Sequence, residues 1–221
     1  MIALARTSLR TALVMLGFAV LGTALLALTH GATRETVREN ELAAELAQIA
    51  EVLPKSAYDN DLSASTVSLA PTTELGTEET TIARAALRQG KPAGAVFTAI
   101  APDGYSGRIK LLVAVLETPQ GPVVAGVRVI SHRETPGLGD YIEPRKDRAE
   151  PKWIAQFDSP PADLLPQAWR VKKDGGRFTH RAGATITPRA VVKAVGRALA
   201  YYRENQAKFY PDSFRSKETD A

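Results

Sequence analysis

Residues 175–195 read GGRFTHRAGATITPRAVVKAV and place the sharpest candidate chemistry at Gly183, Ala184, Thr185 and Thr187. Thr187 is a good N-cap, Pro188 suits the first helical position, and an apolar periodic run follows at once, so a helix is predicted to begin within a residue or two. A helix start offers unpaired backbone N–H groups and the positive end of a dipole, and Gly183 and Ala184 remove the bulk that would keep a phosphate away. The spot suits an anion. The same residues also make an ordinary turn and cap, and spacing alone does not separate the two readings. A second cluster lies upstream at His132–Asp140, HRETPGLGD. Pro136 and Gly137 mark a turn, His132 and Glu134 are titratable, and Thr135 adds a hydroxyl. Gly137 and Gly139 would let backbone N–H groups approach a ligand closely, and Leu138 offers an apolar face. For His132 a structural role and a proton-transfer role both remain open. The chain has no cysteine, which excludes disulfides, thiolate chemistry and Cys-held clusters, so any redox role needs a bound cofactor. No P-loop, GxGxxG or paired His/Glu metal spacing occurs; no metal ligands and no catalytic residues of this chain's own are expected.

These clusters need elements to hold them. The runs GAVFTAIAPDGYSG and RIKLLVAVLETPQGPVVAGVRVISH are rich in Val and Ile and broken by Asp-Gly and Pro-Gln-Gly-Pro turns, which predicts hairpin-connected strands in an antiparallel sheet. From Pro188 to about Lys208 the pattern is helical. Strands clustered first with helices placed around them make an α+β domain. Between Pro54 and Thr81 polar residues dominate, and the region reads as loop with one short strand at TVSLA. Trp153 and Trp169 sit in PKWIAQF and DLLPQAW.

From Thr11 to Thr33 there is no charged residue, and the apolar stretch Ala12–Leu28 is long enough to cross a bilayer as a helix. A cleaved signal peptide would have a shorter apolar region, about 7 to 15 residues. Arg6 and Arg10 precede the span, whereas Arg34, Glu35, Arg38 and Glu39 follow it with balanced charge; the positive-inside bias puts the N-terminus in the cytoplasm. Gly17, Gly22 and Ala24 give the helix one small-residue face, either a packing surface or merely tolerated in lipid. Residues 34–53 place Leu42, Leu46, Ile49, Val52 and Leu53 at helical spacing, an amphipathic helix ended by Pro54. The expected organisation is an anchor over 1–33, an amphipathic helix and connecting region over 34–90, a folded domain over 91–210 and a tail over 211–221. Composition is ordinary, with 44% apolar and 24% charged residues and a net charge of +4. No basic stripe interleaved with aromatics appears, and nucleic acid is not an expected partner.

GATIT at 183–187 resembles the flavinylation motif of the FMN-binding domain in two relatives: the C subunit of the sodium-pumping NADH:quinone reductase and the G subunit of Rnf-type (Rsx) complexes. HRETPGLG resembles the HxETPGLG signature of the Rnf G subunit, whose loop lies against the flavin. Asp103-Gly104-Tyr105-Ser106-Gly107, with Ile109 beyond Arg108, resembles the family's GYxGxI turn, and TPRAVVKAVGRAL resembles the helix after the flavin threonine. The likeness covers nearly the whole chain, including the anchor. It departs at two positions: the family has an Asp six residues before the modified threonine and a Ser or Thr three before it, where this chain has Thr179 and Ala182.

The resemblance implies FMN joined through its phosphate to the Thr185 hydroxyl by a flavin transferase that uses FAD. It implies a site formed by Gly183, Ala184, Thr185 and Thr187 with His132, Glu134, Thr135, Gly137, Leu138 and Gly139. His132 or Glu134 would bond ring heteroatoms or ribityl hydroxyls, while Trp153 and Trp169 are expected in the core or stacked on the ring. The protein would be an inner-membrane, single-pass electron carrier with a periplasmic domain. It would serve an ion-translocating oxidoreductase that moves electrons between ferredoxin and NAD, alongside other membrane and iron–sulfur subunits, with no turnover of its own. The alternatives are a C-type subunit of the sodium-pumping quinone reductase and a flavin-free envelope scaffold.

Overall fold

The structure, a computed structural model, describes residues 2–158, 160, 166–211 and 214. Asp163, Leu164 and Leu165 of DLLPQAW, and the expected tail apart from Pro211 and Phe214, lie outside the described residues. The chain divides into two units, Met1–Glu45 and Leu46–Ala221.

The first unit is helical throughout its described length, as part of helix α1, Ile2–Ala50. The stretch read as an anchor and the stretch read as an amphipathic helix run on as one helix. No proline interrupts the stretch, and Gly31 alone costs a helix only about 1 kcal/mol. Thr29 and Thr33 direct their hydroxyls back to the carbonyls of Leu25 (2.8 Å) and Thr29 (2.9 Å), so the polar side chains at the end of the apolar run are satisfied within the helix. This is one helix long and apolar enough to cross a membrane; its most apolar window has mean hydropathy 2.3 and no part of it is buried. Leu42 is exposed.

The second unit is α+β. Five strands, β1 (Thr66–Leu69), β2 (Thr81–Arg88), β3 (Lys91–Gly104), β4 (Gly107–Leu116) and β5 (Val123–Ser131), form one sheet in chain order, every neighbour antiparallel. Side chains alternate between its faces. Ala95, Phe97, Leu111, Val113 and Val115 enter the main core; Val96, Leu112 and Ala114 enter a smaller cluster with Ile49, Val52, Leu53 and Leu62. The composition of β2, TIARAALR, gives no strand signal, being rich in good helix formers. It is a strand because Ala83, Ala85 and Leu87 fill the main core while Ala86 faces the smaller one.

Helix α2 (Ile186–Glu204) buries Val191, Val195, Ala198 and Tyr202 in the main core. It stops at Glu204, four residues short of the expected end, and a short α3 (Gln206–Phe209) follows. An aromatic ladder ties the segments around Trp153–Phe157 and Trp169–Phe178 to this core: centroids are 5.4 Å apart for Trp153–Phe157, 4.9 Å for Phe157–Phe178 and 5.0 Å for Trp169–Phe178. Trp153 also donates its indole N–H to the Thr179 carbonyl at 2.8 Å. Both tryptophans are therefore core residues.

Asp147 anchors the same segments. Its buried carboxylate accepts the backbone N–H groups of Trp153 (2.7 Å) and Ala149 (2.9 Å) and pairs with Arg181, whose guanidinium lies 4.4 Å from the centre of the Tyr141 ring. Burial pushes this carboxyl up, but the two N–H donors and Arg181 outweigh it and hold it below the ordinary 3.8. The stabilisation from this depressed group is complete above the ordinary carboxylate range and is lost as pH falls through the folded-state value. Asp147→Asn should lower the melting temperature at pH 7, and the gap to the parent should close as the pH is taken below about 4 in thermal unfolding.

Candidate functional site

Three segments far apart in sequence meet at the start of α2. The first is the β3–β4 turn, closed tightly because Gly104 has no side chain. A Cβ there would lie 2.3 Å from the Gly107 carbonyl oxygen and 2.9 Å from both Ile109 Cδ1 and Glu134 Oε1. The second is the loop at 132–140, and the third is the run Gly183–Thr187.

Glu134 joins all three. It is 4% exposed; Oε1 accepts the Ser106 backbone N–H at 3.0 Å, and Oε2 accepts the Thr187 hydroxyl. Thr187 is consequently not the N-cap expected from sequence. Thr185 caps the helix, without a side-chain capping bond, and Thr187 lies buried in the first turn with its hydroxyl committed to a carboxylate 53 residues away. Gly139 closes the packing around that bond, since a Cβ on it would sit 2.7 Å from Glu134 Oε2 and 2.8 Å from Thr187 Oγ1. Because neither oxygen can yield without breaking the other's contacts, Gly139→Ala should cost about 1–3 kcal/mol and reduce flavin content. Thermal unfolding and bound flavin per chain check this.

The loop amides also differ from expectation. Gly137 donates to Asp140 Oδ1 at 2.8 Å, and Leu138 and Gly139 both donate to the Thr135 carbonyl at 3.1 Å. These N–H groups close the turn on itself, which Gly137 permits through its φ of +77°, and they are not free for a ligand. At His132, Nδ1 accepts the Glu134 backbone N–H at 3.0 Å, while buried Nε2 has no hydrogen-bond partner among the described residues and lies 3.6 Å from Glu143 Oε1. Opposite the loop, the Tyr141 hydroxyl donates to the Ala184 carbonyl at 3.3 Å, fixing the residue before Thr185. Burial pushes this phenol above its ordinary 10.0, so it stays a donor at neutral pH.

Between these segments lies a cavity of about 140 Å3. Gly183, Ala184, Thr185 and Thr187 form one wall, Glu134, Thr135, Leu138 and Gly139 another; His132 and Gly137 are not in its lining. Sequence reasoning misses two lining residues, Tyr105 and Ile186. The GYxGxI likeness is the available signal for Tyr105; Ile186 follows from nothing but its place beside Thr185. Tyr105 (66% exposed), Leu138 (54%) and Ile186 (46%) leave apolar surface in water around one opening.

FMN can be tested against this geometry. Ligand sites commonly span about 300–1,000 Å3, so the cavity takes only the phosphate end of such a molecule and the ring must lie over the rim. Both parts fit. At the phosphate end, α2 has first-turn amides without intrahelical acceptors, and Gly183, at φ +83°, has open space where a Cβ would stand. At the ring end, the three exposed apolar side chains supply the surface an aromatic face needs.

The chain matches the FMN-binding domain family over residues 104–200 and the RnfG N-terminal region over residues 1–52. It is 42% identical to the G subunit of the ion-translocating oxidoreductase complex of Pseudomonas aeruginosa, over 92% of each chain. Its identity to the corresponding G subunit of Aliivibrio fischeri is 40%, over 90% of this chain and 92% of that one. The chain belongs to this G-subunit family. All three segments that line the cavity fall inside or directly against the FMN-binding match, and the RnfG N-terminal match covers α1 and its exit. Among solved structures, the chain is similar to the crystal structure of Shewanella oneidensis NqrC, with 22% identity and a TM-score of 0.44 over 73% of each chain. At the two positions that depart from the flavinylation pattern, the G-subunit chain makes different use of its residues. Thr179 gives both its N–H (2.8 Å) and its hydroxyl (3.2 Å) to Gln156 Oε1, whereas Ala182 is exposed.

Proposed function

We propose that this chain is the electron-carrying flavin subunit of a membrane-bound ion-translocating oxidoreductase, with FMN esterified through its phosphate to Thr185 Oγ1. The observation that carries the attachment is the position of that hydroxyl: it stands on the cavity wall at a helix start, engaged in no capping bond, with an apolar rim beside it. When bound, FMN supplies one- and two-electron redox chemistry that no side chain here has. The protein's own part is placement. The first turn of α2 holds the phosphate, Gly183 leaves room for it, Tyr141 and Glu134 fix the walls, and Leu138, Ile186 and Tyr105 shield one face of the ring from water.

The likeness to Rnf G subunits supports a role in electron transfer between ferredoxin and NAD coupled to ion movement. The chain would exchange electrons with neighbouring membrane and iron–sulfur subunits and have no independent turnover. A flavin transferase drawing on FAD would install the cofactor. The charge distribution around α1 supports an inner-membrane anchor with a cytoplasmic N-terminus and a periplasmic FMN domain.

The decisive measurement is the mass of the proteolytic peptide containing Thr185, from chain matured in its native host. The expected result is the peptide mass increased by FMN less one water. An unmodified peptide from a host with a demonstrably active flavin transferase overturns the proposal and leaves the scaffold reading.

A further inference from the structure

We infer that the exposed side of α2, together with the turn at residues 170–177, is the surface on which an acidic face of a neighbouring subunit docks, beside the flavin rim. This rests on the proposed function, because it supplies the approach of a redox partner. Residues 170–203 hold nine Lys or Arg and one Asp, a net +8 against +4 for the whole chain, so the remainder carries −4. Part of this charge is met inside the fold: Arg181 by Asp147, Arg189 by Asp174 at 2.5 Å, and Lys193 by Asp103 at 2.9 Å. Arg203 and Arg197 donate to the carbonyls of Pro122 (2.8 Å) and Ile100 (3.5 Å). Exposed Arg170, Lys172, Lys173 and Arg177 make no ion pair or side-chain hydrogen bond among the described residues, and the field of Lys173 falls on Asp174, already paired with Arg189. Like charges gathered so closely repel one another and favour an oppositely charged partner.

Shape selects the class of partner. A groove of about 960 Å3 runs along α2, floored by the buried Trp169, Val171, Ala190 and Leu199; its lining holds five cations, Arg170, Arg189, Lys193, Arg197 and Arg203, against three acids, Asp103, Asp174 and Glu204. Gly196 lets Trp169 seat against the helix, since a Cβ there would lie 2.9 Å from the tryptophan side chain. Ile186 lines both this groove and the cavity beside Thr185, so the two adjoin there. A concave surface with an apolar floor and an excess of cations on its rim, continued by the unpaired Lys172, Lys173 and Arg177, matches a protein segment with an apolar anchor flanked by Asp and Glu. A planar layer of lipid headgroups has nothing to insert there. Screening over about 8 Å at physiological ionic strength confines the attraction to close approach and makes it salt-dependent.

The test uses the full-length chain in its complex, captured through a tag on another subunit from detergent extracts. The variants are Arg170→Glu combined with Lys173→Glu, Arg177→Glu alone, and Lys91→Glu, at the start of β3, as a control. At about 0.15 M salt the double variant should be retained at least tenfold less than the parent. Parent retention should fall as salt rises, and Lys91→Glu should behave as the parent. In-gel flavin fluorescence of each variant reports a folded, flavinylated chain. If the double variant loses fluorescence, Arg177→Glu decides: fluorescent and released supports the surface, fluorescent and fully retained overturns it. Retention unchanged in the fluorescent double variant overturns it too, as does a loss seen only when cardiolipin is supplied, which assigns the face to anionic lipid. Absence of fluorescence from the parent itself would instead defeat the flavin reading, so the two failures are distinct.

Discussion

Thr185→Val should yield a chain of normal abundance and fold that carries no flavin fluorescence after denaturing electrophoresis. Valine keeps the shape of threonine and removes only the hydroxyl. That oxygen makes no capping hydrogen bond, so its loss should cost the fold under about 0.5 kcal/mol, below the usual cost of losing a working cap. The effect on attachment is all or none, since a phosphoester cannot form without the oxygen. Two readouts separate the outcomes: fluorescence in the gel, and circular dichroism of the purified chain. A fluorescent Thr185→Val chain would place the ester elsewhere. Thr185→Ser, which restores the oxygen, should recover part of the signal.

Glu134→Ala should be the most damaging single change near the site. It strips the buried partner from the Ser106 N–H and the Thr187 hydroxyl and opens space between three segments. Leaving two such donors unmet costs about 3 kcal/mol. For a domain of this size that corresponds to a drop of about 10 °C in melting temperature. Glu134→Gln keeps the volume but sets an amide N–H₂ against one of the two donors, and should cost about 1 kcal/mol. Thr187→Val removes one donor from the other side. A double-mutant cycle between the two positions should show coupling of about 1.5–3 kcal/mol, because both changes break one charge-assisted bond. Coupling near zero would mean that the two residues act independently and that the walls are held by other contacts.

What the sequence discloses depends on whether a residue's role is local. The strands β3, β4 and β5 are legible from their branched residues and turn signals, because half-buried sheet rewards those residue types. Helix α2 is equally plain from its period. β2 is hidden because its alanines are selected by tight packing on both faces of the sheet, a tertiary demand that overrides propensity. Thr187 illustrates the same limit at the site. By position it is a fine cap, yet the competing partner is Glu134, and no local rule connects residues 53 positions apart. Composition brings the loop at 135–140 to the cavity, but its amides are spent on Asp140 and Thr135, which is a matter of loop conformation.

The order of the sheet carries one more consequence. Each strand pairs with the strand made just before it, so no hydrogen-bonded ladder waits for a distant segment of chain. Such a sheet can close progressively as the chain is made, and its fifth strand ends at Ser131, well ahead of Thr185 in the chain. The loop that faces Thr185 across the cavity follows at once, although Glu134 in it gains its Thr187 partner only after Thr185. On the proposed reading, flavin attachment at Thr185 would wait for α2, which follows it in the chain and completes the main core, and would fall late in the biogenesis of the protein.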